Sequence, residues 1–243
     1  MSELRALSFG RAAEHYERGR PVWPAEALEV VHLPASAHVL DLGAGTGKLT
    51  RLLVERFAKV TAVEPDDAMR ALNRWGDVLA GSAERIPLTD GEADAVFCGE
   101  SFHWFAHPAA VAEIARVLRP GGTLVLLWTH SDGDWTPPLP ELDALLDRLR
   151  ATLPASRGAD RLFSGAWRDA FDGAPFESFR ETRPATAYVA GRDELLSYLL
   201  SQSSIAARSS EEVEAIHAEL ESIVPIGRYS LPFRVDVYTT RRR

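Results

Sequence analysis

Between residues 38 and 130 the chain alternates short apolar runs with longer segments of helical period, and this alternation most restricts what it can fold into. Residues 37–42, 60–64, 78–80, 93–98 and 123–128 read as buried strands. Residues 47–57, with Leu49, Leu52, Leu53 and Phe57 on one side, read as a helix, as do 67–75 and 109–118. Asp66 or Asp67 is placed to cap the second of these, and Pro120-Gly121-Gly122 stops the third. Strands apolar on both faces and separated by helices make a parallel sheet covered on both sides. Right-handed crossovers then give a doubly wound α/β fold, whose ligand sits at the carboxyl ends of the strands.

The flanks read differently. Residues 1–33 look helical, interrupted at Arg20-Pro21-Val22-Trp23-Pro24, and form an N-terminal helical lid on a core of residues 34–130. Residues 131–243 supply insertions on the acceptor side and the final strands. They hold a helix at 141–150, a strand at 176–182, helices at 192–200 and 210–223, and a strand at 233–238 that pairs with the 176–182 strand. The expected architecture is one domain with a mostly parallel, seven-stranded sheet. A length of 243 residues suits one decorated α/β domain and leaves little room for two complete cores.

Composition narrows the partners. A formal net charge of −8 repels phosphate backbones and points away from a nucleic-acid acceptor. The single cysteine, Cys98, excludes an intrachain disulfide and a multi-cysteine metal site. It lies in an apolar run and reads as a core thiol. His32 and His38 lack metal-ligand spacing, so no metal is assigned. The N-terminus carries no apolar signal core and no run approaches bilayer-spanning length, so a cytoplasmic protein without membrane attachment is expected. The sequence leaves monomer and dimer open.

Chemistry concentrates in Val39-Leu-Asp-Leu-Gly-Ala-Gly-Thr-Gly-Lys-Leu-Thr50. Gly43, Gly45 and Gly47 make G-x-G-x-G, a turn that lets a ligand approach the backbone closely. The dinucleotide fingerprint requires its third glycine where Lys48 stands. The phosphate-binding P-loop requires Ser or Thr after its lysine, where this chain has Leu49. Asp41 would repel a pyrophosphate but suits an ammonium or sulfonium group. A carboxylate on the same ligand could take backbone N–H groups near the helix start. Glu64, ending the second strand, can accept hydrogen bonds from ribose hydroxyls. This pattern points to S-adenosylmethionine, with S-adenosylhomocysteine as product. A nicotinamide oxidoreductase and a non-catalytic cofactor- or partner-binding protein are the alternatives.

The runs D-L-G-A-G-T-G, V-E-P-D, G-S-A-E-R-I-P-L and R-V-L-R-P-G-G-T-L are similar to those of class I S-adenosylmethionine methyltransferases. Phe9-Gly10, Tyr16-Glu17, Arg20–Pro24 and Ser101-Phe102-His103-Trp104-Phe105 resemble a small-molecule subgroup that includes trans-aconitate methyltransferase-like proteins. The resemblance implies a Rossmann-like sheet and methylation of a small acceptor at oxygen, nitrogen or a carboxylate. It implies that Asp41, Gly43, Ala44 and Gly45 hold the methionine end and that Gly47 allows close packing. Glu64 would bind the ribose, Pro65 and Met69 would flank the adenine, and Ser82, Ala83 and Glu84 would lie at its edge. Glu100 and Ser101 would face the reacting methyl, while Tyr16 and Arg20 would close over the cofactor. Relatives commonly carry Asp in place of Ser82 and Tyr in place of Trp23.

In-line methyl transfer needs a base only where the acceptor must lose a proton. His103, just past the fourth strand, is the candidate base; alternatively, His103-Trp104-Phe105 is an aromatic wall of the pocket. His130 could also face the acceptor. Arg157, Arg161, Arg168, Arg180 and Arg183 could recognise an acidic acceptor or lie solvated at the surface.

Overall fold

The computed structural model describes residues 13–152, 162 and 164–243. Arg157, Arg161, Phe9 and Gly10 lie outside the described residues. The chain divides into two compact units: residues 22–129, 156–184 and 235–243, and residues 1–21, 130–155 and 185–234.

The first unit carries β1 (His38–Leu42), β2 (Lys59–Glu64), β3 (Asp77–Ala80), β4 (Ala93–Gly99), most of β5 (Leu118–Ser131), β6 (Arg180–Thr182) and the end of β8 (Arg228–Arg241). The sheet order is β3-β2-β1-β4-β5-β8-β6. The β3-β2-β1-β4-β5 part is parallel, and β6 runs antiparallel to β8. Helix α2 (Lys48–Val54) links β1 to β2, α3 (Asp67–Leu72) links β2 to β3, and α4 (Pro108–Val117) links β4 to β5. The strand order reverses between β1 and β4, so the carboxyl ends of these two strands flank a crevice where doubly wound sheets take ligands.

Alternation along the strands fills both faces of this sheet. Leu40, Leu42, Val96, Cys98, Leu124, Leu126 and Trp128 pack into one cluster. Val39, Ala95, Phe97, Val125, Leu127, Val235 and Val237 pack into another with Leu49 and Leu53 of α2. The expected helix stop at Pro120-Gly121-Gly122 is a bulge within β5: Leu118 pairs with Ala93, and the register resumes at Thr123 opposite Ala95.

The second unit holds α1 (Ala13–Gly19), α5 (Pro140–Ala151), β7 (Ala185–Gly191), α6 (Arg192–Leu200), α7 (Ser203–Ala206), α8 (Ser210–Ile223) and the start of β8. Leu142, Leu145, Leu195, Leu199, Leu220 and Phe233 form its core. Ser209 and Glu212 close a capping box at the start of α8.

The strand expected at 176–182 shrinks to Arg180–Thr182, with an isolated bridge between Phe176 and Arg242. Its expected partner is β8, with Arg180 opposite Thr239. That strand begins at Arg228 because β7, an eighth strand the sequence did not announce, pairs along its first half.

Candidate functional site

The segment after β1 turns sharply because its three glycines adopt positive φ, 71° at Gly43, 56° at Gly45 and 90° at Gly47. They serve different purposes. A Cβ on Gly47 would lie 2.3 Å from Asn73 Oδ1, whereas one on Gly45 would meet only Met69 Cε at 3.5 Å. Gly47 therefore makes room for protein and Gly45 leaves room beside Met69.

The turn is tied to the end of β2. Gly43 and Ala44 both donate to the Val63 carbonyl, at 2.9 and 3.1 Å, and Gly47 donates to Ala44 at 3.0 Å. Gly45 N donates to Glu64 Oε2 at 2.8 Å, and Asp66 N donates to Glu64 Oε1 at 2.9 Å. The amides of residues 43, 44, 45 and 47 are thus committed within the protein. Glu64 itself is buried, and burial raises its carboxyl above the ordinary range against the pull of its two N–H donors. Each oxygen still keeps a second lone pair for a ribose hydroxyl.

Asp41 lies beneath this turn, 1% exposed. Its Oδ2 accepts from the Thr50 hydroxyl at 2.6 Å, and its Oδ1 has no hydrogen-bond partner among the described residues. Burial pushes the carboxyl up to about 7; the Thr50 hydrogen bond opposes this and the nearby Glu64 adds to it. Thr46, also buried, likewise presents an Oγ1 without a partner among the described residues. A buried carboxylate oxygen and a hydroxyl lacking partners are costly unless a ligand completes them. Two adjacent buried carboxylates make that ligand cationic. The set fits the ammonium and sulfonium end of S-adenosylmethionine, and Thr46 joins the residues that could hold it.

Past Glu64, Asp66 caps α3 by accepting from Ala68 and Met69, both at 2.9 Å. This turns Met69 inward, 5% exposed, next to Gly45 and close to Pro65 in sequence. Ser82 bridges to Arg85 around the buried Ala83. Glu84 pairs with His107 at 2.7 Å; burial opposes its ionisation, but hydrogen bonds from Ser82 and His107 prevail and hold its carboxyl below the ordinary range. His107 also caps α4, accepting from Ala110 N. Ser82 and Glu84 are therefore bonded to each other beside the expected adenine edge.

At the end of β4, Glu100 has φ 53°, a left-handed conformation uncommon outside glycine. Its Oε1 accepts from both the backbone N and the hydroxyl of Thr129 at 2.6 Å, spanning the ends of β4 and β5. Ser101 is buried and donates to the Leu42 carbonyl at 2.7 Å. It packs against Gly43, whose Cβ would lie 2.7 Å from Ser101 Cβ. The Ser101 hydroxyl thus fastens the β4 end to the β1 end.

His103 sits in a single-turn 3₁₀ helix, Phe102–Trp104, and is buried. The indole Nε1 of Trp128 donates to its Nδ1 at 3.0 Å. An indole N–H only donates, so the neutral imidazole carries its proton on Nε2. In this arrangement the Nδ1 lone pair of the ring faces Trp128. The aromatic-wall reading keeps support in the rings of His103 and Trp104, 4.8 Å apart, and in Phe102 against Phe105 at 5.5 Å.

Tyr16 and Arg20 belong to the second unit, as does His130. Arg20 lies over the rings of Tyr16 and Tyr198 at 5.2 and 5.6 Å, and its Nε donates to Ser201 Oγ at 3.0 Å. Arg168 stacks on Trp167 at 4.2 Å, and Arg183 pairs with Glu181 and Asp236. Arg180, on β6, is exposed. Cys98 is a fully buried thiol pushed well above its ordinary pKa by burial. No group of metal-ligating residues occurs among the described residues. No described helix is long and apolar enough to cross a membrane.

The methyltransferase-domain family matches residues 40–126, the span from β1 into β5. An uncharacterised methyltransferase of Mycobacterium tuberculosis is 47% identical over 158 residues, which cover 61% of this chain and just under two thirds, 65%, of that relative. An uncharacterised methyltransferase-like protein of Schizosaccharomyces pombe is 34% identical over 230 residues, 91% of this chain and 87% of its own length. Among solved structures, a protein of Anaeromyxobacter dehalogenans assigned as a type II methyltransferase aligns with TM-score 0.59 and 25% identity over 90% of this chain and 97% of that one. With the strand order and glycine turn described above, these likenesses establish that the chain belongs to the class I methyltransferase family.

Proposed function

We propose that the chain transfers a methyl group from S-adenosylmethionine to a small acceptor that arrives with an ionised oxygen, a carboxylate above all. The observation that carries the cofactor reading is the buried Asp41 carboxylate, whose Oδ1 lacks a partner among the described residues. That oxygen would take the cofactor's amino group. Glu64 would take the ribose hydroxyls, and Met69 and Pro65 would flank the adenine.

The cofactor supplies the electrophilic methyl, so the protein's task is alignment and charge placement. His103, whose Nδ1 accepts from Trp128, would stand with Trp104 as an aromatic wall beside the acceptor. An anionic acceptor requires no proton removal, so its methylation needs no base. Glu100, pinned to Thr129, would keep the ends of β4 and β5 in register at the methyl position.

Calorimetric titration with S-adenosylmethionine, S-adenosylhomocysteine and NAD tests the cofactor assignment. Binding of the first two and not the third is expected. Release of S-adenosylhomocysteine is then measured across small carboxylic acids, alcohols and amines. Turnover confined to amines would overturn the acceptor reading.

A further inference from the structure

Asn73 lies outside the glycine turn and just past the end of α3, yet a Cβ on Gly47 would strike its side chain. It is 7% exposed, and its Nδ2 donates to the buried Thr50 Oγ1 at 3.1 Å. Its Oδ1 accepts from Trp75 N at 3.1 Å. A backbone N–H cannot accept, so the amide has one permitted orientation, with its NH2 toward Thr50. Thr50 has a single hydroxyl proton. With Asn73 donating to its oxygen, that proton goes to Asp41 Oδ2, 2.6 Å away.

We propose that Asn73 and Thr50 are positioning residues for the cofactor: a one-way chain of hydrogen bonds, Asn73 to Thr50 to Asp41, fixes the carboxylate so that Oδ1 is presented to the ligand's ammonium group. The inference rests on the cofactor reading above and extends it to two residues that would touch no ligand. It also assigns the third glycine of the turn a purpose: Gly47 admits Asn73 beneath the loop.

The chain favours the ionised carboxylate, because every bond in it points a donor toward Asp41. Burial works against ionisation, as does the Glu64 carboxylate at the end of β2. The Cys98 thiol on β4 also acts with Asp41, and α2 presents the Thr50 hydroxyl. Asp41, pushed up to about 7, is therefore poised so that loss of the Thr50 donor raises it further. A cationic ligand binds the ionised form, so affinity rises with pH as the carboxyl titrates, until the ligand's own ammonium group loses its proton at higher pH.

The test is the pH dependence of S-adenosylhomocysteine affinity between pH 5.5 and 9, read by calorimetry on wild type, Thr50→Val, Thr50→Ser and Asn73→Ala. Thermal melts establish that each variant is folded. Thr50→Val is expected to move the midpoint of the profile upward and to weaken binding at pH 7 by about tenfold. Asn73→Ala should shift the midpoint in the same direction by less, and Thr50→Ser should restore it. A lowered melting temperature with an unmoved midpoint in Thr50→Val and Asn73→Ala would mean that the chain only packs the loop, and would overturn the inference alone. Absence of binding by wild type would overturn the cofactor reading and this inference with it.

Discussion

Trp128 Nε1 and His103 Nδ1, 25 residues apart in sequence, are 3.0 Å apart in the fold, and this pair decides which end of the imidazole carries a proton. If His103 acts as a donor, replacement by Gln keeps an N–H and loses the base. His103→Gln is expected to retain turnover within about tenfold of wild type, while His103→Leu falls well below it, as loss of one transition-state hydrogen bond costs ~10²–10³ in rate. Initial rates at saturating cofactor between pH 6 and 8 provide the check. A rate in wild type that climbs with a histidine-like midpoint and vanishes equally in both variants would make His103 a base.

Glu64 holds the loop with both oxygens, each accepting a backbone N–H. A glutamine there would place an NH2 against the N–H of either Gly45 or Asp66. Glu64→Gln is therefore expected to loosen the turn and to lower S-adenosylhomocysteine affinity by at least about tenfold, ~1.4 kcal/mol. Calorimetry on a variant shown to be folded measures this; wild-type affinity would remove Glu64 from the cofactor site.

Asp41 is expected to contribute less to stability at neutral pH than in mild acid. Its carboxyl is about 7 in the fold, raised by burial, against an ordinary value of ~3.9 in an unfolded chain. Between these values the folded state binds more protons, so this group's contribution to stability falls as pH rises from ~4 to ~7 and stays lost above. Asp41→Asn removes that dependence. The variant is expected to outlast wild type at pH 8 by ~2–4 kcal/mol, with the gap closing toward pH 5, while binding S-adenosylhomocysteine more weakly. Denaturant melts at the two pH values decide it, and a variant less stable than wild type at both would refute the account.

The legible part of the site was the part whose partners are close in sequence. Asp41 and the three glycines lie within one turn, and their charge and backbone demands could be read together. Helices α6 and α8 were read at the bounds they adopt, because apolar spacing marks them. What stayed hidden depends on side chains meeting across elements. Thr50 and Asn73 fall inside the segments read as helices, 47–57 and 67–75, and nothing in the sequence joins them until the fold brings them together under Gly47. The one signal in the sequence is a Thr next to Leu49, close to the glycine turn. Strand β7 escaped notice because Ala185-Thr186-Ala187 and Gly191 carry little apolar bulk; it is held by pairing to β8.

Gly47 and Gly121 separate backbone strain from collision. Both have positive φ, 90° and 76°. A Cβ at Gly121 meets nothing within 4 Å, whereas one at Gly47 falls 2.3 Å from Asn73 Oδ1 and 2.5 Å from its Cγ. Gly121→Ala thus bears only the left-handed backbone penalty, ~1–2 kcal/mol. Gly47→Ala bears that penalty and must also push Asn73 aside, breaking its bond to Thr50, for a total of ~3 kcal/mol or more. Denaturant unfolding of the two variants should show the larger loss at Gly47. Cofactor affinity should follow the same order, because displacing Asn73 releases the hydrogen-bond chain that ends on Asp41. Equal losses at the two glycines would mean that Asn73 moves away without consequence and that the loop tolerates a side chain there.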